Sequence, residues 1–238
     1  MNYVAKKEYN VIGKSIPRVD AFQKVTGETK FTGDLKFPNM LYGKILRSPY
    51  PHAKILRIDR SKAEKLPGVH AVLCGDDLPL FYYGPWLLDQ TLFARGKVRY
   101  IGQEVAAVAA ETPEIAEEAL ELIKVDYQEL PAVFDPLEAM KDDAIIIHEK
   151  AEEYESLNPM AIKGNINSHV SFFHGDVEKS FEESDVVIEE TFTTPVQYQA
   201  YLEPQQSIAM MDSLGKLTIY VPTQSVFIRA ASLARMLQ

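Results

Sequence analysis

The segment that most constrains the fold is a run of small and β-branched residues followed at once by a helix start. Residues 102–110 read GQEVAAVAA, and Thr112 and Pro113 follow after Glu111. Such a run suits a central strand packed under a helix, while threonine is a favoured N-cap and proline a favoured first helical residue. A strand-like IKVDYQE comes next, so the sequence predicts a strand, helix, strand unit over residues 104–128. Its helix should bury a stripe made of Ile115, Ala119, Leu122 and Ile123.

Three further strands are predicted ahead of this unit. Residues 41–48 and 53–59 alternate apolar and polar side chains, which is the period of a half-buried strand, and HAVLCG at 70–75 is predicted to be a third strand. SKAEKL at 61–66 is predicted to be a short helix that ends at Pro67-Gly68. The order ahead of the unit is therefore strand, strand, short helix, strand.

Composition excludes several classes of protein. With 238 residues, 46% hydrophobic and 25% charged, the chain is typical of a soluble globular protein with a real core. A net charge of -9 repels phosphate backbones and anionic lipid, so neither nucleic acid nor a membrane is expected as a partner. The sequence has no long apolar run, and Met1 to Asn10 lacks a signal-peptide core, which favours a reducing, cytoplasmic compartment.

Two features of the first half leave alternatives open. Cys74 is the only cysteine, so this sequence cannot form a disulfide or ligate an iron-sulfur cluster by itself. We interpret it as a small buried hydrophobe, since a reactive thiol needs a neighbouring base or cation. The loop at 76–97 is either packed on the core or a binding surface, and packing is favoured because aromatic rings bury large areas. Its aromatic residues are Phe81, Tyr82, Tyr83 and Trp86.

The second half begins with a charged linker and continues with weaker patterns. Charged pairs and an Asn-Pro step interrupt residues 141–168, and one apolar run at 145–147 suggests an edge strand. Beyond it the sequence predicts a short helix over 177–182, an alternating strand over 186–192 and a final helix over 227–237.

The stretch from Thr193 to Phe227 is the candidate for chemistry. It is polar, rich in amides and punctuated by proline, with a Tyr-Leu-Glu-Pro turn that contains Glu203. The amide of Gln224 both donates and accepts, so it can contact an oxo or hydroxo ligand of a metal cofactor without adding charge. The alternative is a strand-end glutamine bonded to backbone. Metal ligation is not expected of the scattered histidines, which are His52, His70, His148, His169 and His174.

Several segments together resemble one family in their order along the chain. The segments are RVDAFQKVTGETKFTGDLKFPNMLYGKILRSPYPHAKILRID, LPGVHAVLCGDDLP and VRYIGQEVAAVAAETPEIAEEALELIKVDYQELPAVFDPLEAM. They resemble the α/β hammerhead domain of the molybdenum subunit in the xanthine dehydrogenase and aldehyde oxidase family. HGDVEKSFEESDVVIEETFTTP, then YLEP, then Pro222-Thr223-Gln224 resemble the start of that subunit's molybdopterin-binding region.

The resemblance implies an α+β fold organised in four parts. These are an N-terminal tail at 1–14, an α/β hammerhead domain at 15–140, a linker at 141–168 and the incomplete start of a molybdopterin-binding domain at 169–238. In the family, a Gly-Phe-Gly-Gly stretch and a glutamate general base come later, and neither is in this sequence. We therefore interpret the chain as one piece of a split molybdenum subunit or as a truncated product.

The resemblance also implies a reaction and site residues. Family members hydroxylate an aldehyde carbon or a carbon next to a heteroatom, with water as the oxygen source. Gln224 falls where the family places a glutamine beside an oxygen ligand of molybdenum, and Thr223 is expected to bind the cofactor with it. Glu203 matches the family's Leu-Glu-Pro glutamate, for which we expect an architectural role. Gln199 stands where many relatives have histidine, which removes any polar contact of that imidazole.

Cofactors and partners follow from the same resemblance. The expected cofactor is a molybdopterin-type molybdenum cofactor shared with the missing part of the subunit. A 2Fe-2S cluster and FAD are expected in partner chains, together with the remaining molybdenum-subunit portion and a small-molecule substrate. The alternative is a non-catalytic hammerhead module for assembly or protein interaction that lacks a complete active site.

Overall fold

The computed structural model describes residues 9–85, 87–155 and 163–237. The chain forms two compact units. The larger unit contains Pro38–Thr193 and Phe227–Gln238, and the smaller unit contains Met1–Phe37 and Thr194–Val226. Along the chain the helices and strands are α1 Ala21–Thr26, β1 Tyr42–Arg47, β2 Ala53–Asp59, β3 Val69–Cys74, β4 Lys97–Val98, β5 Glu104–Ala110, α2 Pro113–Leu122, β6 Lys124–Glu129, α3 Pro136–Ala139, α4 Val177–Glu182, β7 Ile208–Met211, β8 Leu217–Tyr220 and α5 Val226–Met236.

The predicted strand, helix, strand unit is present in the larger unit. β5 is the centre of an antiparallel sheet with β1 on one side and β3 on the other. Thr112 caps α2, because its Oγ1 accepts the N–H of Ile115 at 3.2 Å. The helix packs on this sheet through small side chains, since alanine lets a helix approach a strand closely. Ala106, Val108 and Ala110 on β5 form one buried cluster with Ala116, Ala119 and Ile123.

A second antiparallel sheet completes the larger unit. Its strand order is β4, β2, β6, so the strand after α2 joins a different sheet from the strand before it. Ala53, Val98 and Val105 are buried together beside it, and the rings of Tyr50 and Tyr127 lie 5.1 Å apart at their centroids. The two sheets and α2 therefore share one continuous stretch of sequence from β1 to β6.

The aromatic loop at 76–97 packs on its own unit, in agreement with the favoured interpretation. Leu87, Leu88 and Ala94 are buried, and the ring of Tyr82 lies 5.1 Å from that of Tyr154. Arg95 links the end of the loop to its beginning, since its Nη2 donates hydrogen bonds to the carbonyl oxygens of Gly75 and Leu78. Trp86 lies outside the described residues.

Cys74 is buried at the end of β3, as the sequence predicted. It is 7% exposed and belongs to the cluster under α2. Burial raises the pKa of its thiol, which disfavours the thiolate that a nucleophile or metal ligand requires. The structure therefore favours the packing role over the reactive one.

Three local predictions were wrong. Residues 186–192 do not form a strand, and Val186, Ile188 and Phe192 are 75%, 81% and 89% exposed. Alternation alone does not make a strand, because the backbone N–H and C=O groups need hydrogen bonds to a neighbouring strand. None of the described residues pairs with 186–192 in this way. Residues 145–147 are not a strand either, and the predicted helix at 61–66 is only a 3-10 turn at Ala63–Lys65.

The smaller unit combines α1 with the β7–β8 hairpin. α1 ends at Gly27, whose φ of 77° is the left-handed conformation that glycine adopts without a steric cost. Asp20, just before the helix, binds Arg18 and Lys24, and these cations hold the pKa of its carboxyl well below the usual range. No helix within the described ranges is long and apolar enough to cross a membrane.

Candidate functional site

A tight hairpin positions the candidate loop. β7 and β8 pair antiparallel from Ile208 opposite Tyr220 to Met211 opposite Leu217. The connecting turn is closed by Asp212, whose Oδ1 accepts the N–H groups of Leu214 and Lys216, both at 2.9 Å. With the register fixed in this way, β8 ends at Tyr220, and the loop at 221–225 follows directly.

The loop at 221–225 carries Thr223 and Gln224 between β8 and α5. Thr223 Oγ1 accepts the N–H of Ser225 at 3.1 Å, which shapes the turn that leads into the helix. The Gln224 side chain is exposed, and no hydrogen bond to it is seen in the part of the chain that the structure describes. The backbone-bonded alternative is therefore not what the structure shows, and the amide is free to bind a ligand.

Glu203 makes a different kind of contact. Its side chain is half-buried, and Oε1 accepts the backbone N–H of Thr32 at 3.2 Å. Thr32 is 171 residues away in sequence and belongs to the same unit. A carboxylate that receives a backbone N–H acts as a structural anchor, which fits the architectural role expected for Glu203. That role stays a prediction.

Two further contacts join the N-terminal segment to this unit. The rings of Phe37 and Tyr220 are 5.6 Å apart at their centroids, and Tyr220 is the last residue of β8. Gly33 lies against the Gln206 side chain so closely that an added Cβ would clash with the amide. Sequence reasoning missed Thr32 and Phe37 as supports of this unit, because no local pattern connects them to a hairpin so far along the chain.

The residues present fit a molybdopterin-type cofactor. Thr223 keeps its hydroxyl hydrogen for donation, and the Gln224 amide offers two donors and an acceptor. The donor set thus suits a polar, anionic cofactor more than a bare metal ion. Within the described residues no group of three or more histidine, cysteine, aspartate or glutamate side chains could hold a metal.

Family models match both parts of the chain. Residues 26–131 match the a/b hammerhead domain of aldehyde oxidase and xanthine dehydrogenase, and residues 160–238 match the molybdopterin cofactor-binding domain. The chain belongs to the xanthine dehydrogenase and aldehyde oxidase family. It corresponds to the hammerhead domain and the start of the cofactor-binding domain of the molybdenum-binding subunit, so the predicted family and α+β fold class are confirmed.

Curated relatives agree with this assignment. The chain is 44% identical over 220 residues to a probable xanthine dehydrogenase subunit of Bacillus subtilis, covering 92% of this chain and 28% of that protein. It is 35% identical over 232 residues to the nicotinate dehydrogenase large molybdopterin subunit of Eubacterium barkeri, covering 97% and 52% respectively. The chain therefore spans from about a quarter to about half of the length of such relatives.

Solved structures of the same family superpose well. Quinoline 2-oxidoreductase from Pseudomonas putida matches with a TM-score of 0.80 at 28% identity, over 94% of this chain and 28% of that one. A Cu,Mo-CO dehydrogenase matches with a TM-score of 0.76 at 34% identity, over 93% and 29%. The family match to the hammerhead domain begins at residue 26, whereas the described residues before Pro38 belong to the smaller unit. The bounds 15–140 for the hammerhead domain stay a prediction.

Proposed function

We propose that this family member is part of a molybdenum hydroxylase that oxidises an aldehyde carbon or a carbon of an N-heterocycle. Water supplies the oxygen, and the electrons pass to iron-sulfur and flavin partners. The names of its relatives support this substrate class, since they include xanthine and nicotinate dehydrogenases and a quinoline oxidoreductase.

The observation that carries the proposal is the free amide of Gln224 at the start of α5. It lies inside the range that matches the cofactor-binding domain, on a loop fixed by the Thr223 hydroxyl. When bound, the cofactor supplies the two-electron chemistry. Gln224 would orient it through a hydrogen bond that adds no charge, and Thr223 would hold the loop and donate a second hydrogen bond.

Partner chains follow from the chemistry of the cysteines and from the relatives. Iron-sulfur clusters are held by cysteine thiolates, and this sequence has a single cysteine, which is buried. Several relatives are named as subunits or as a large chain, including the carbon monoxide dehydrogenase large chain of Afipia carboxidovorans. We therefore place the cluster and the flavin on partner chains and the rest of the cofactor site on a further portion of the molybdenum subunit.

The test is to purify the assembly that contains this chain and measure molybdenum by elemental analysis, together with turnover of an aldehyde and of an N-heterocycle. Bound molybdenum and turnover of one substrate class are expected. A pure, intact assembly without molybdenum would overturn the proposal.

The role of Gln224 is tested in the same assembly. Gln224→Ala is expected to lower turnover by about tenfold to a hundredfold, the cost of losing one oriented contact near a metal centre, with no loss of melting temperature. Gln205→Ala is the matched control, because Gln205 is an exposed glutamine of the same unit. Equal turnover in the two variants would count against a role for Gln224.

A further inference from the structure

A polar cavity of about 370 Å³ lies within the larger unit, and none of its described lining residues belongs to the loop at 221–225. Its walls come from the aromatic loop, from the turn before β5 and from the segment around His148. The volume is enough for a small organic molecule. The side chains on which the following argument depends are Tyr82, Asp89, Arg95, Arg99, His148 and Tyr154.

Arg99 is the strongest binding group in this cavity. Its backbone N–H donates to Gln103 Oε1 at 2.7 Å, and its Nε donates to the carbonyl oxygen of Ile147 at 3.2 Å. The first bond holds the Arg99 backbone, and the second holds the guanidinium. In the described part of the chain neither terminal nitrogen of its guanidinium has a partner. A held guanidinium with two free parallel donors matches a carboxylate.

The charges around the cavity favour an anion. Arg95 and Arg99 contribute two cations, and Asp89 is the one carboxylate among the described lining residues. Lys97 and Glu149 lie beside His148 and neutralise each other at 2.5 Å. Burial and the nearby Arg99 lower the pKa of His148, so its imidazole is neutral at pH 7. A net positive cavity in a chain of net charge -9 concentrates small anions.

Aromatic side chains in the cavity wall favour a flat ligand. The rings of Tyr82 and Tyr154 lie 5.1 Å apart, and Tyr154 OH lies 3.1 Å from His148 Nδ1. This wall offers ring faces and edges to a flat molecule. We infer that the cavity is a binding site for a small aromatic carboxylate, whose carboxylate pairs with Arg99 and whose ring packs on the two tyrosines. The site does not depend on the proposed function, since every lining residue belongs to the larger unit.

The test is calorimetric titration of the 238-residue chain with benzoate and with benzamide, its neutral analogue. Benzoate is expected to bind saturably and benzamide at least about tenfold more weakly, because only the carboxylate accepts both guanidinium bonds. Arg99→Gln should weaken benzoate by about tenfold or more. Arg57→Gln is the matched control, since Arg57 is exposed on β2, outside the cavity, and pairs with Asp59 at 3.3 Å.

A second variant gives a change of opposite sign. Asp89→Asn removes the only carboxylate of the described wall and is expected to tighten benzoate binding about threefold, a result that mere damage to the fold would not produce. If Arg99→Gln does not fold, Arg99→Lys replaces it, with retained but weaker binding expected because the planar fork is lost. Equal binding of benzoate and benzamide, or no tightening in Asp89→Asn, would overturn the assignment.

Discussion

Replacing Asp77 tests how the larger unit is held together at the end of β3. The Asp77 carboxylate accepts hydrogen bonds from both terminal nitrogens of Arg60, and the bond from Nη2 is 2.7 Å long. It also accepts a hydrogen bond from the backbone N–H of Cys74 at 2.7 Å. Arg60 in turn donates to the carbonyl oxygen of Val72 at 3.1 Å. The pair therefore joins the start of the loop at 76–97 to β3 and to the turn after β2.

The cost of Asp77→Asn follows from these bonds. An amide keeps one acceptor oxygen but loses the charge and at least one of the three hydrogen bonds, each worth about 1.5–3 kcal/mol when charged. The two side chains are 24% and 28% exposed, so solvent weakens the pair only in part. We expect a loss of about 2 kcal/mol in the free energy of unfolding, measured in urea at pH 7.

The same pair predicts the pH dependence. Arg60 and the Cys74 N–H hold the pKa of the Asp77 carboxyl well below its usual range. A carboxyl whose pKa is depressed on folding stabilises the fold above its unfolded pKa of about 3.9 and loses that contribution as the pH falls toward its folded pKa. The difference between wild type and Asp77→Asn should therefore be full at pH 7 and shrink below about pH 4.

The control is Asp126→Asn, since Asp126 is an exposed carboxylate on β6 of the same unit. It should change the free energy of unfolding by less than about 0.5 kcal/mol. Two results would refute the reasoning. One is an Asp77→Asn loss no larger than that of the control, and the other is a loss that stays constant from pH 7 to pH 2.

Two further substitutions probe the smaller unit and α2. Glu203→Ala removes the acceptor of the Thr32 N–H and should cost about 1–2 kcal/mol in urea, against a negligible change for the exposed Glu190→Ala. An equal loss in Glu203→Ala and Glu190→Ala would contradict the anchor role of Glu203. Thr112→Ala removes the cap of α2 and should cost about 1 kcal/mol, while Thr112→Ser, which keeps the hydroxyl, should cost about half of that or less. Similar losses in the two variants would mean that packing, rather than the cap, is responsible.

The first half of the fold could be predicted because its signals are local. β2 has the bounds that alternation predicted, and α2 begins at Pro113 after the Thr112 cap. Two of the four residues expected in the buried stripe, Ala119 and Ile123, are buried, while Ile115 and Leu122 are half-buried. Ala116 is buried instead, because an alanine face lets α2 lie directly on β5.

What could not be predicted depends on contacts between distant segments. The 186–192 run has the period of a strand but finds no partner strand among the described residues. The Arg99 cavity escaped sequence reasoning because its walls come from segments on both sides of β5 and α2, and no periodicity joins them. Gln224 was selected by the chemistry of its amide together with the resemblance, and in the structure this amide is exposed, with no hydrogen-bond partner among the described residues.

The smaller unit shows why an apparently simple hairpin needs the beginning of the chain. Its two strands have four residues each, and an isolated pair of this size is marginal in water. The described N-terminal residues supply the missing contacts, through the ring of Phe37 on Tyr220 and the Thr32 N–H on Glu203. One contact lies at the end of β8 that leads to Gln224, and the other holds the turn that precedes β7. The position of the Gln224 loop therefore depends on residues far away in the sequence, and a substitution at Thr32 or Phe37 acts on this loop through the contacts that support it.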